Sequence, residues 1–154
     1  MKTVSNEKIF IDTNILFYAN NPTLPFGIQA RFRINELAEL NNNLIISTQI
    51  IKEYASVTLR NVIYNKLDLN KGINDLIENV KQFHIDFEIV HDNEMVLRHW
   101  LGLLPLLKSG KDVFDFNIAA TLKSNNIHYL FTNNISDFKK FDDWLTIIPL
   151  FPEP

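Results

Sequence analysis

Short runs of continuous apolar residues alternate along this chain with longer segments whose apolar residues recur at helical spacing. The first run is Ile9-Phe10-Ile11, in a segment that reads as a strand from Glu7 to Ile11. The others are Leu44–Ser47, Phe87–His91, His128–Thr132 and Thr146–Pro149. A run apolar at every position reads as a strand buried on both faces. Between these runs, Thr13–Ala19, Gly27–Leu40, Gln49–Tyr64, Asn70–Phe83, Glu94–Leu107 and Asp112–Ser124 read as helices. Ile73, Leu76, Ile77 and Val80 show the period, and Ser47 or Thr48 stands where an N-cap belongs. Asn41-Asn42-Asn43 reads as a turn. Strands alternating with helices throughout predict an α/β fold. The expected form is a three-layer α/β/α sandwich, with a central parallel sheet of about five strands and helices on both faces. No linker, repeat or low-complexity block interrupts the pattern, so one domain is expected over residues 1–154.

The residue inventory narrows the chemistry. Cysteine is absent, which removes disulfides, thiol catalysis and thiolate metal sites, and fits a cytoplasmic protein. Glycine is scarce at 4 residues, and neither G-x-G-x-x-G nor a Walker sequence occurs, so nucleotide binding has no support. His84, His91, His99 and His128 make no H-E-x-x-H spacing and read as structural or exposed. Met1 to Lys8 shows no leader pattern, and Ile9–Phe17 is broken by Asp12. No run approaches the roughly 20 apolar residues of a membrane span. The net charge of −3 counts against nucleic acid as a partner, unless bound cations offset the acidity locally. Trp100, Trp144 and the 12 Phe read as core or dimer surface rather than as base-stacking platforms. Lys52, Arg60, Lys108 and Lys111 read either as solvated residues or as phosphate contacts.

The acidic residues fall in a telling order. Asp12 ends the first apolar run, at the strand tip where an α/β sheet builds its site. Glu53 lies a helical turn after the second strand; Asp112 and Asp115 open the last long helix, and Asp137 follows the fourth strand. Carboxylates gathered in one place repel one another, and hard divalent cations such as Mg²⁺ or Mn²⁺ are the usual reason to gather them. Each also admits a plainer role. Asp12 stands where the next helix takes its N-cap. Glu53 is either a solvated helix residue or part of the stripe of Ile50, Tyr54 and Val57. Asp112 reads as an N-cap, with Asp115 in the electropositive first turn. Asp137 either completes a site or caps a turn.

Ile11-Asp12-Thr13-Asn14-Ile15-Leu16, Glu53-Tyr54, Asp115 to Ala120, and Phe131-Thr132-Asn133-Asn134 with Asp137-Phe138 follow one another in a familiar order. In that order the chain resembles the PIN domain, and within it the VapC-like toxin ribonucleases of toxin–antitoxin pairs, from about Lys8 to Pro149. The resemblance implies Asp12, Glu53 and Asp115 as metal ligands, with Asp137 as a further catalytic carboxylate. It favours Asp115 over Asp112 as the third acidic residue. Asn134 stands where the family often carries an acid, so it orients water without adding charge; Thr132, Asn14 and Asp112 are secondary members. The resemblance further implies an Mg²⁺- or Mn²⁺-dependent endoribonuclease that cuts RNA with activated water. It implies a cytoplasmic homodimer and a small antitoxin protein that inserts a segment into the acidic groove. Three alternatives remain: a PIN ribonuclease of RNA processing without an antitoxin, a degenerate PIN domain that only binds, and a haloacid-dehalogenase-like phosphatase. The last wants an Asp at the position of Asn14.

Overall fold

Ile9, Phe10 and Ile11 are wholly without solvent exposure, as strand β1 (Lys8–Ile11) requires at the middle of a sheet. The structure is a computed structural model and describes residues 4–152. The expectations for Met1 to Thr3, and for the last two residues of the 1–154 domain, lie outside them. Around β1 stand β2 (Asn43–Ser47), β3 (Glu88–Val90), β4 (Tyr129–Thr132) and β5 (Thr146–Pro149), in the order β3-β2-β1-β4-β5. Every pairing is parallel, with Ile9 opposite both Leu44 and Tyr129 and Ile11 opposite Phe131. The helices are α1 (Thr13–Ala19), α2 (Gly27–Glu39), α3 (Thr48–Tyr64), α4 (Leu69–Asp86), α5 (Glu94–Leu103), α6 (Asp112–Ser124) and the single turn α7 (Ile135–Phe138). The result is the expected three-layer α/β/α arrangement. No helix among the described residues is long and apolar enough to cross a membrane.

The chain builds outward from β1 to β2 and β3, then returns to lay β4 and β5 on the other flank. The seam between β1 and β4 is therefore the point where strand order reverses. Crevices form there, beyond the carboxyl ends of the strands.

Differences from the expected boundaries have local causes. Helix α4 begins at Leu69 because Asp68 caps it, accepting from Lys71 N at 2.9 Å. Helix α5 stops at Leu103 rather than Leu107: Pro105 has no N–H to continue the ladder, and a 3₁₀ turn at Leu104–Leu106 takes over. Of Ser47 and Thr48, it is Ser47 that caps α3, its hydroxyl accepting from Ile50 N at 3.3 Å. The triple Asn is shorter as a turn than expected, because Asn43 already pairs opposite Lys8. The turn α7 was not apparent in the apolar pattern.

Asn42 ties the turn to the sheet. Its Oδ1 accepts from Glu7 N at 3.0 Å, and its Nδ2 donates to Leu37 O at 2.8 Å and Val4 O at 2.9 Å. Asn42→Ala is predicted to cost about 2 kcal/mol, because these backbone groups lose their partner. Urea unfolding checks it; a midpoint unchanged from wild type refutes it.

Candidate active site

Asp12 is the first residue beyond β1 and only 5% exposed. Its backbone N donates to Phe131 O at 3.0 Å, which continues the β1–β4 pairing one step past the strand. Its Oδ1 accepts from Thr13 N at 2.7 Å, so it does cap α1. Its Oδ2 accepts from Thr132 Oγ1 at 2.6 Å and from Asn14 Nδ2 at 2.8 Å. Capping thus occupies one oxygen and leaves the other aimed at the end of β4.

The secondary candidates Thr132 and Asn14 form the frame around that oxygen. Thr132 Oγ1 also accepts from Asn134 N at 2.9 Å, and Asn14 Oδ1 accepts from Asn133 N at 3.0 Å. Asn14 therefore braces the loop after β4 with an amide that needs both its donor and its acceptor. A carboxylate there, as the phosphatase alternative wants, has no donor to offer Asp12. Asn134 is exposed and lines the cleft that Asp12 borders.

Glu53 is not a solvated helix residue. Its Oε2 accepts from Thr13 Oγ1 at 2.7 Å and its Oε1 from Gln49 Nε2 at 2.6 Å. Asp12, Glu53 and Asp115 border one cleft of about 660 Å³, together with Thr13, Asn14, Arg60, Phe114 and Asn134. Asp115 is half-buried in the first turn of α6. Asp137 is exposed on α7; its carboxylate meets only the Ser136 hydroxyl, at 3.4 Å, so it caps no backbone N–H among the described contacts. Its charge nonetheless acts on Asp115.

Asp112 differs from its expected role. Lys111, already in a helical conformation, occupies the cap position of α6, and no side chain caps it. Asp112 Oδ2 instead accepts from Lys108 N at 3.1 Å and Ser109 N at 3.0 Å, closing the loop before the helix. Its Oδ1 takes Lys140 Nζ at 2.9 Å, which pins the segment after α7 to α6. That ammonium, followed by the backbone donors, holds the Asp112 carboxyl below its ordinary value. Asp112 does not border the cleft.

Sequence reasoning missed three polar partners. Thr13 bonds Glu53 through its hydroxyl at 2.7 Å, besides donating its backbone N–H to Asp12. Gln49 is the i−4 neighbour of Glu53 on α3, a spacing that could have signalled it. Asn117, the one polar residue between Phe116 and Ala120, donates to Gln49 Oε1 at 2.6 Å. His84, His91 and His128 are exposed and His99 is half-buried, and none of them borders this cleft.

The carboxylates disturb one another. Burial pushes the Asp12 carboxyl up to about 6, opposed by its hydrogen bonds to Thr132 and Thr13, with Glu53 adding repulsion. Asp115 is likewise raised to about 6, first by burial, then by the charges of Asp137 and Asp12. An all-oxygen set under mutual repulsion fits a hard divalent cation in its chemistry. As the side chains stand, no group of three or more His, Asp or Glu among the described residues is arranged to hold one ion. Neutral donors occupy Asp12 and Glu53 instead.

Asp115 makes no hydrogen bond through its side chain among the described contacts, so its charge tests the repulsion most directly. Unfolded, it titrates near its ordinary 3.8; folded, near 6. The folded state therefore binds the proton more tightly. The penalty is absent below about pH 4, grows through pH 6 and is complete above it. Partial exposure reduces it to on the order of 1 kcal/mol. In chelator at pH 7.5, Asp115→Asn should melt above wild type, and the two should converge at pH 4. A variant that melts lower at pH 7.5 would show that the Asp115 charge is net stabilising.

A family model, the PIN domain, matches residues 9–143. No curated protein sequence matches the chain. Among solved structures, FitAcB from Neisseria gonorrhoeae is 21% identical with a TM-score of 0.68, over 92% of this chain and 97% of that one. A toxin–antitoxin complex from Klebsiella pneumoniae is 17% identical with a TM-score of 0.58, over 94% and 99%. VapC20 from Mycobacterium tuberculosis, described as a sarcin–ricin loop cleaving toxin, is 15% identical with a TM-score of 0.62, over 83% and 92%. At these identities the likeness is one of fold. The family model spans most of the chain, including Asp12, Glu53, Asp115 and Asp137, and on that match the chain belongs to the PIN domain family.

Proposed function

We propose that this protein is a divalent-metal-dependent endoribonuclease, with Asp12, Glu53 and Asp115 as metal ligands and Asp137 as a further catalytic carboxylate. The observation that carries the reading is the convergence of separately placed carboxylates on one cleft, where burial and mutual repulsion raise both Asp12 and Asp115 to about 6. When bound, Mg²⁺ or Mn²⁺ lowers the pKa of water and polarises a phosphoryl oxygen. The chain's own residues do the positioning. Thr13 N, Asn14 and Thr132 lock the Asp12 carboxylate in one orientation. Thr13 and Gln49 aim Glu53. Asp115, with no such bond among the described contacts, is available to a ligand or a proton, and Arg60 on the same wall offers a phosphate contact.

The reading extends to the toxin of a toxin–antitoxin pair, acting in the cytoplasm as a homodimer and held by a small antitoxin protein. Two of the similar folds support it: one is a toxin–antitoxin complex and one a sarcin–ricin loop cleaving toxin. A co-transcribed small upstream gene whose product co-purifies with this chain is the expected result. Its absence leaves an RNA-processing nuclease.

Purified protein with Mg²⁺ or Mn²⁺ should cut RNA internally, and chelator should stop it. Cleavage that persists in chelator, or hydrolysis of phosphomonoesters alone, overturns the reading. Asp12→Asn and Asp115→Asn should each lower the cleavage rate on the order of 10²- to 10³-fold, since several kcal/mol of charge stabilisation is lost. Asp112→Asn should retain most activity while lowering the melting temperature, because its bond to Lys140 is weakened. Equal loss of rate in the Asp112 and Asp115 variants, with both folded, refutes the assignment.

A further inference from the structure

The side of α3 that carries Glu53 runs on past the acidic cleft. A second groove of about 700 Å³ opens between α3, α5 and α6, and the two share Glu53, Ser56 and Phe114 as walls. Trp100, Val113 and Phe114 form its apolar side. Gln49, Asn117 and Asp92 line it too: Asn117 Nδ2 donates to Gln49 Oε1 at 2.6 Å and to Asp92 Oδ2 at 3.3 Å, Gln49 Nε2 is taken by Glu53 and by Phe114 O, and no hydrogen bond among the described contacts reaches Asn117 Oδ1. Phe114 is 61% exposed, which excludes the core half of the core-or-interface reading its sequence context suggested. Trp100 is half-buried and fixed, its indole N–H donating to Val113 O at 3.1 Å.

Two cations bracket Glu53 along this trough. Lys52 borders the second groove and Arg60 the acidic cleft. They stand eight residues apart on one helix, about 12 Å at 1.5 Å per residue. Neither makes an ion pair among the described residues. Unpaired cations on either side of a carboxylate cluster, with an aromatic wall and the open Asn117 Oδ1 between, match a nucleic-acid single strand: phosphates to the cations, a base to the ring and to the amide oxygen. An apolar peptide would use Trp100 and Val113 but leave both cations and Asn117 Oδ1 without partners.

We propose that this groove is a nucleobase subsite. A base beside the scissile phosphate stacks on Phe114 and is read at an amino group by Asn117 Oδ1, which the bond from Asn117 Nδ2 to Gln49 orients, while Lys52 and Arg60 hold the phosphates on either side. The inference rests on the ribonuclease reading for the choice of substrate, and its test separates the two.

Short single-stranded RNAs, randomised in sequence, are incubated with the purified full chain and Mn²⁺, and the new 5′ ends are sequenced. Wild type should show a base preference next to the cut. Asn117→Ala should flatten it. Phe114→Ala should raise KM about tenfold, and Phe114→Trp should restore it. Preference and KM unchanged in the Asn117 and Phe114 variants overturn the subsite while the nuclease reading stands. If wild type cuts nothing, the nuclease reading fails, and binding decides the groove. Fluorescence anisotropy of a labelled RNA in chelator should then show tenfold weaker binding for Phe114→Ala and for Lys52→Ala. No RNA binding, or binding indifferent to both changes, overturns the proposal and leaves the groove to a protein partner. Thermal melts of each variant confirm that it is folded.

Discussion

The candidate site depends on the join between β1 and β4 just beyond their ends. There Asp12 N bonds Phe131 O, and Thr132 Oγ1 donates to Asp12 Oδ2. These strands are distant in sequence and adjacent in the sheet only because the strand order reverses at their seam. One carboxylate thus serves as helix cap, strand clasp and candidate ligand. Its neighbours Asn14, Thr132 and Asn134 are spoken for by the same frame. A buried, neutral-donor shell of this kind restricts motion of the group it surrounds, which is what a preorganised site requires.

Repulsion is the counterpart of that rigidity. Burial and neighbouring charges raise both Asp12 and Asp115, so the ionised cluster works against folding at neutral pH. The hydrogen bonds from Thr13, Thr132 and Gln49 offset part of that repulsion. Raised carboxyls in a cleft, with a physical cause for each, are the usual mark of a working site.

Helix α3 joins the two halves of the trough. It carries Gln49, Lys52, Glu53 and Arg60 on the side that borders the acidic cleft and the adjoining groove. The opposing wall is α6, which presents Phe114, Asp115 and Asn117. Lys140, bonded to Asp112 and lying over the Phe116 ring at 4.8 Å, fastens the segment after α7 to that wall. This contact keeps α7, and Asp137 on it, near Asp115.

Much was legible in the residues alone. Continuous apolar runs alternating with helical periods dictate a parallel sheet, because a strand buried on both faces needs helices over each. A carboxylate closing the first run could be assigned to the working edge of that sheet. The ordered motifs around Asp12, Glu53, Asp115 and Asp137 pointed to the PIN family, which the family model bears out. Local chemistry could not settle which carboxylate does what. Asp112 and Asp115 look alike as acidic residues opening a helix, yet only the folded chain turns one toward Lys140 and the other into the cleft. Gln49 and Asn117 gain their meaning from each other across 68 residues of chain. Periodicity and capping act within a few residues, so sequence determines elements and their order. Burial, repulsion and side-chain pairing between elements act through space, and only the tertiary structure decides them.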